Sequence, residues 1–373
     1  ASLSLAALIK GFQVFQGESQ SSQANKNGNH IQAVILNRIS PMLYPRMKAV
    51  IEKETGVLVA GYVPELDFWQ VGSRHLGLVL PGEIENLQEQ MRQLGDCLEK
   101  TLDVDALLKL GEKADADVLG SVTVTADGSS QKCEAQKNAD LVLQNQFAGE
   151  KISHSVIRIR LGVAWDEAFC FYYRDNLEFL EKQGVQIVRF SPVHDKHLPD
   201  DLDGLLLGGG YPELYAKALE ENETIRNEIR RKAEEDMPIL AECGGYLYLL
   251  KELEDENGTG YEMAGVFSGK GYKKGKNSHF GYITVQTEKD SLYLKAGETI
   301  KGHEFHYWES TQDENELKMQ AKKPTGKRSW PCVTVKNQVM AGFPHLYYPS
   351  LEGFGERFVQ ACDRYRMKRK RQQ

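Results

Sequence analysis

Pro238-Ile239-Leu240-Ala241-Glu242-Cys243-Gly244-Gly245-Tyr246-Leu247-Tyr248-Leu249-Leu250 is the stretch on which the reading of this chain turns. An apolar run leads straight into Cys-Gly-Gly and then into a second apolar run. That order predicts a strand from Pro238 to Ala241, a sharp turn at Cys243 and a helix behind it. Such a turn aims the helix's first amides and its positive dipole end at the sulfur, which favours the thiolate. Gly244 and Gly245 clear side chains from the approach path, and the Gly244 amide is placed to donate to an oxyanion. A buried core cysteine beside a packing glycine is the competing reading. The strand-Cys-Gly-Gly-helix context favours the nucleophile.

Outward from this turn the pattern repeats. Upstream, a strand from Val156 to Ala164, a helix from Asp166 to Lys182 closed by Gly184, a strand from Val185 to Phe190, a strand from Gly204 to Leu207 and a helical stretch from Pro212 to Glu235 follow one another. Short apolar runs separated by amphipathic helices predict a doubly wound parallel sheet. Past Gly260 the strands become short and punctuated by glycine. A second glycine turn, Gly208-Gly209-Gly210, also lies between a strand and a helix, and its free amides would complete the oxyanion hole. A tight connection alone is the alternative, although three consecutive glycines exceed what a turn needs.

The N-terminal third reads as α/β: a helical pattern through Ile9 and Phe12, a strand from Ile31 to Leu36, a helix from Pro45 to Lys53, a strand from Val57 to Tyr62 and a helix from Glu83 to Leu98. From Gly111 to Ser155 periodicity fades and polar residues accumulate. The expected organisation is a domain over 1–112, a linker over 113–154, a second domain over 155–365 and a basic, solvated tail over 366–373.

A cysteine nucleophile requires a base, and His345 in Ala341-Gly342-Phe343-Pro344-His345-Leu346-Tyr347 is the candidate among nine histidines. His303 and His306 are rivals whose spacing could mimic a metal pair; without an HExxH helix, no metal ligand is assigned.

At 373 residues, with 41% hydrophobic and 27% charged side chains, the chain has room for two cores. A formal net charge of -7 gives no general attraction to nucleic acid or an anionic membrane. No run approaches the length of a membrane span. Six scattered cysteines without a CxxC pair fit a reducing cytoplasm better than a disulfide framework.

Asp166-Glu167-Ala168-Phe169-Cys170-Phe171-Tyr172-Tyr173, Phe190-Ser191-Pro192, Gly208-Gly209-Gly210-Tyr211-Pro212-Glu213, Ala241-Glu242-Cys243-Gly244-Gly245 and Gly302-His303-Glu304-Phe305-His306 together resemble the cobyrinic acid a,c-diamide synthase family, which also amidates nickel-sirohydrochlorin. Before the linker the resemblance continues in Ile35-Leu36-Asn37-Arg38 and Arg74-His75-Leu76-Gly77-Leu78. It implies a partial P-loop, dethiobiotin synthetase-like α/β domain followed by a flavodoxin-like class I glutamine amidotransferase domain. The second would release ammonia from L-glutamine through a Cys243–His345 dyad. The first would use ATP and magnesium to phosphorylate the a and c carboxylates of cobyrinic acid or a related tetrapyrrole. Asn37 is similar to the asparagine that reads adenine, and Arg74 and His75 would meet the carboxylate-rich substrate. A homodimer is expected. Tyr347 stands where other class I amidotransferases carry a third, acidic member.

No G-x-x-x-x-G-K-[ST] occurs in the sequence. The expectation is that the family's phosphate loop lies upstream of Ala1. Cobyric acid synthase-type amidation and a non-catalytic homologue without ATP chemistry are the alternatives.

Overall fold

The computed structural model describes residues 2–14, 31–69, 72–74, 77–78, 84–119, 159–274, 279–312, 317–326 and 328–372. The chain divides into two compact units, Ala1–Ile152 and Ser153–Gln373.

In the first unit, helix α1 (Ser2–Val14) precedes strand β1 (Ala33–Asn37), helix α2 (Tyr44–Thr55) and strand β2 (Leu58–Val63). The two strands pair in parallel, with Ala33 opposite Leu58 and Asn37 opposite Val63, so the segment is a βαβ step as its pattern predicts. Pro45 sets the first turn of α2 and Gly56, at φ 69°, ends it. Ala6 and Ile9 of α1 pack with Leu36, Met47, Ile51, Val57 and Val59. Helix α3 (Leu87–Thr101) buries none of its side chains. Helix α4 (Val104–Leu119) continues past residue 112, so the segment expected to open the linker is helical. The remainder of 113–154, from residue 120, lies outside the described residues.

The second unit holds β3 (Ile159–Ala164), α5 (Arg174–Lys182), β4 (Val185–Phe190), β5 (Gly204–Leu207), α6 (Ala216–Glu221), α7 (Glu223–Glu234), β6 (Ile239–Glu242) and α8 (Gly244–Leu249). After them come β7 (Phe280–Gln286), β8 (Thr299–Phe305), β9 (Leu317–Lys322), β10 (Ser329–Lys336), β11 (Val339–Gly342), β12 (His345–Leu346) and α9 (Phe354–Gln372). The twelve-to-four order β12-β8-β7-β9-β10-β11-β6-β5-β3-β4 makes one ten-stranded sheet. Its half from β11 to β4 is parallel, and the other half is antiparallel. A smaller sheet joins Gly260–Glu262, Glu252–Glu254, Lys270–Lys273 and Trp308–Ser310.

The central strands β5 and β6 are apolar on both faces because both are covered. Leu205, Leu207, Ile239 and Ala241 share a core with Leu219, Ile225 and Ile229 of α6 and α7. Leu206 and Leu240 face the opposite core with Leu177 and Leu180 of α5 and Phe354 and Phe358 of α9. Such alternation in the middle of continuous apolar runs is what a doubly wound sheet requires. The fold is therefore α/β, as the class I amidotransferase reading anticipates, with a mixed extension at one side.

That extension cannot be flat. From β12 to β11 is five strand spacings, about 24 Å across a planar sheet. The chain between Gly342 and His345 reaches only about 10 Å. The antiparallel strands therefore curl until β12 returns beside the end of β6, where the Leu346 amide donates to Glu242 Oε1 at 3.3 Å.

Two expectations are corrected. The helix read from Asp166 begins only at Arg174, because Asp166 folds the preceding residues into a turn: its Oδ1 accepts from the amides of Ala168 at 2.9 Å and Phe169 at 3.1 Å, and its Oδ2 from the Ser191 hydroxyl at 2.7 Å. Phe169–Phe171 is a short strand pairing with Gly209–Gly210. The basic tail at 366–373 is, through Gln372, the end of α9. Arg369 is fixed by the Leu202 carbonyl at 3.1 Å and by buried Asp203 at 3.0 Å. No described helix is long and apolar enough to cross a membrane.

Candidate active site

Cys243 follows the last residue of β6 and adopts φ 50°, ψ -103°, a left-handed conformation unusual for a residue with a side chain. Neighbouring elements hold it there. Its amide donates to the Gly342 carbonyl at 2.8 Å, its carbonyl accepts from Leu247 at 3.0 Å, and the Gly245 amide donates to the Gly208 carbonyl at 2.9 Å. A Cβ on Gly245 would run into the Leu207 carbonyl, and one on Gly244 would lie 2.9 Å from Pro212 Cδ and 3.0 Å from the Gly210 nitrogen. The Cys-Gly-Gly turn is thus pressed against the Gly208–Gly210 turn, and the glycines are required by that approach.

The second glycine turn is itself gripped on its other side. The Gly208 amide donates to the Tyr172 hydroxyl at 2.9 Å, and Tyr172 in turn donates to the Ala164 carbonyl. Gly208 is therefore committed, and the expectation that its amide is free for an oxyanion is corrected. A Cβ on Gly209 would enter the His345 imidazole at Cε1, with Nε2 at 3.2 Å and Nδ1 at 3.4 Å. A Cβ on Gly210 would strike the Ala168 carbonyl. The turn thus touches the Cys243 loop through Gly210 and the His345 ring through Gly209.

His345 reaches it through the curl of the sheet. It pairs with His303 across β12 and β8, and its Nδ1 lies 4.0 Å from Glu242 Oε2. Burial, with the nearby His303 and His306, depresses the imidazole to about 4. Burial raises Glu242 to about 8, against the Leu346 amide and the Tyr348 hydroxyl, which donates to Oε1 at 3.1 Å. The His345–Glu242 contact is accordingly one between neutral groups at pH 7, and at 4.0 Å it is too long for a hydrogen bond.

The thiol departs from expectation. Burial, reinforced by Glu213 and Glu304, pushes Cys243 well above the usual thiol range, against the opposing Gly244 amide. A six-residue helix does not outweigh desolvation. Burial thus favours the neutral form of both the Cys243 thiol and the His345 imidazole.

Glu242 is the residue that sequence reasoning missed. Its only sequence signal was an acid closing an apolar strand. Tyr347, in the place of the usual acid, turns its hydroxyl to Asp175 at 3.2 Å.

His306 and His303 are rivals for the role of base. Among the described residues, the group close enough to hold a cation is His279, His306 and Glu309, with donor atoms within 4.8 Å. Both His306 nitrogens are engaged, Nδ1 by the Trp308 carbonyl at 2.6 Å and Nε2 by Glu304 at 2.9 Å. The ring also stacks on Phe343 at 3.9 Å. This network is a brace under the Phe343–Pro344 connection.

Of the residues predicted in the first unit, Asn37 is exposed at the end of β1. Arg74 lies in the two-residue strand Ser73–Arg74, paired with Gly77–Leu78. His75 lies outside the described residues.

Residues 160–351 match the CobB/CobQ-like glutamine amidotransferase domain family. The cobyrinate a,c-diamide synthase of Caldanaerobacter subterraneus subsp. tengcongensis is 34% identical over 337 residues, covering 90% of this chain and 68% of the relative. That of Salmonella typhimurium is 37% identical over 307 residues, covering 82% of this chain and 59% of the relative. Among solved structures, PurLQS from Thermotoga maritima is similar at 19% identity and a TM-score of 0.39, over 56% of this chain and 98% of that one.

Proposed function

Since the chain belongs to the cobyrinate a,c-diamide synthase family, with its CobB/CobQ-like glutamine amidotransferase domain, we propose that it takes ammonia from L-glutamine to amidate the a and c carboxylates of cobyrinic acid or a related tetrapyrrole. The observation that carries this reading is the convergence of Cys243, the glycine turn at Gly209 and Gly210, and His345.

The chemistry follows from that geometry. Glutamine enters against the glycine turn. His345, neutral through burial, accepts the thiol proton as sulfur attacks the side-chain amide carbon. The Gly244 amide stabilises the resulting oxyanion. The proton held by His345 then passes to the departing nitrogen, ammonia leaves, and water attacks the thioester with His345 again as base.

The synthetase half of the proposal calls for ATP and magnesium in the first unit. The β1–α2 connection, Arg38-Ile39-Ser40-Pro41-Met42-Leu43, has neither glycine nor lysine and does not fit a triphosphate. No step is assigned to ATP in this chain. Asn37, Arg74 and His75 stay with the synthetase half as proposed nucleotide and carboxylate contacts.

A glutaminase assay of the chain beside Cys243→Ala tests the reading. Ammonia release that falls to background in the variant is expected. Equal release by both proteins would overturn it.

A further inference from the structure

Resting on the assignment of Cys243 and His345 as nucleophile and base, we propose that Glu242 is the acidic positioning residue for His345, supplied from the position before the nucleophile and not from behind the histidine. Tyr347 cannot act in that place, because its hydroxyl is turned to Asp175. The Glu242 carboxyl is buried, and its Oε1 takes both donors, the Leu346 amide at 3.3 Å and the Tyr348 hydroxyl at 3.1 Å. Oε2 is the oxygen turned to His345 Nδ1, at 4.0 Å. The ring meets the Gly209 position through Cε1, the carbon between its two nitrogens, so Nε2 is the nitrogen not turned to Glu242. A contraction of about 1 Å would make the Nδ1 hydrogen bond, and catalytic hydrogen bonds commonly tighten on substrate binding.

The two donors have a geometric effect beyond satisfying the carboxyl. Leu346 follows His345 directly and Tyr348 lies in the next turn, so the segment carrying the base is itself tied to the residue before the nucleophile. The β6–β11 pairing supplies the other tie, with Glu242 opposite Gly342. Nucleophile and base are thereby fixed to one carboxyl.

The groups facing Glu242 are Cys243 on its own loop, Tyr172 and Tyr173 ahead of α5, and His345 and Tyr348 after the curl. His303 and His306 face His345 from the β8 side. The tyrosines and the thiol are all pushed upward, and His345 is already neutral above about 4. The ionisation that changes the imidazole's basicity near neutrality is therefore that of Glu242, at about 8. Once ionised, it favours the imidazolium, so activity should rise with pH through that value.

The test is the pH profile of glutaminase kcat/KM for the full chain, Glu242→Gln and Tyr348→Phe, with folding checked by thermal melts. The wild-type rate should climb through pH 8. The ratio of wild type to Glu242→Gln should grow roughly tenfold between pH 6.5 and 9. Tyr348→Phe, which removes a donor that favours the carboxylate, should move the climb to higher pH. A Glu242→Gln profile parallel to wild type, or an unmoved climb in Tyr348→Phe, would overturn the positioning role. Tyr348→Phe decides the matter if Glu242→Gln does not fold. Absence of Cys243-dependent glutaminase in the wild type would instead overturn the function on which the role rests.

Discussion

At Cys243 a single backbone torsion sets a cost to folding against the role proposed for the thiol. A side-chain-bearing residue at φ 50° costs about 1–3 kcal/mol, and the surrounding hydrogen bonds hold it in place. Cys243→Gly should therefore be more stable than Cys243→Ala by about 1 kcal/mol in urea unfolding, since both remove the thiol and only glycine relieves the torsion. Equal stability would mean that the turn is unstrained. The Cys-Gly-Gly turn was legible because close backbone approach demands glycine wherever it occurs. The thiol's ionisation was not, since the dipole can be read along the chain whereas the depth of burial and the carboxyls of Glu213 and Glu304 come from folding. Glu242 escaped notice for a related reason: its partners, Leu346 and Tyr348, lie more than a hundred residues away in sequence.

At the scale of elements, the apolar run at 204–207 announced its strand because a central parallel strand is buried on both faces, and the run at 185–190 did so although it forms the half-covered edge of the sheet. The stretch after Asp166 was misread because helical spacing of apolar residues says nothing about an aspartate that captures two following amides. The end of α9 was misread because a basic run resembles a solvated tail until its partner is known. That partner is Asp203, only 1% exposed, which also accepts from the Arg160 amide at 2.9 Å. Arg369→Ala removes this carboxyl's direct ion-pair partner, leaving only the more distant Arg366 and Lys370, and should destabilise the protein by about 3 kcal/mol. Arg369→Lys should recover only part, because an ammonium does not reproduce the guanidinium fork that bridges Leu202 and Asp203. Denaturant unfolding of the two variants checks both statements.

Over the whole molecule, composition and strand pattern pointed to α/β folding, and family motifs to a glutamine amidotransferase domain. The return of β12 to β6 was beyond their reach, because strand order in the antiparallel half is set by pairing between distant segments. That return also ties His345, the proposed base, to a hoop of six strands whose clasp is only Phe343 and Pro344. A hoop with so short a clasp has no slack, so misfit anywhere around its circumference is delivered to the imidazole. One glycine inserted between Phe343 and Pro344 should lower glutaminase kcat by roughly a hundredfold while leaving the far strands β3 and β4 as protected from hydrogen exchange as before. The proposed base is thus held like the last stave of a barrel, in register only while every other stave keeps its width.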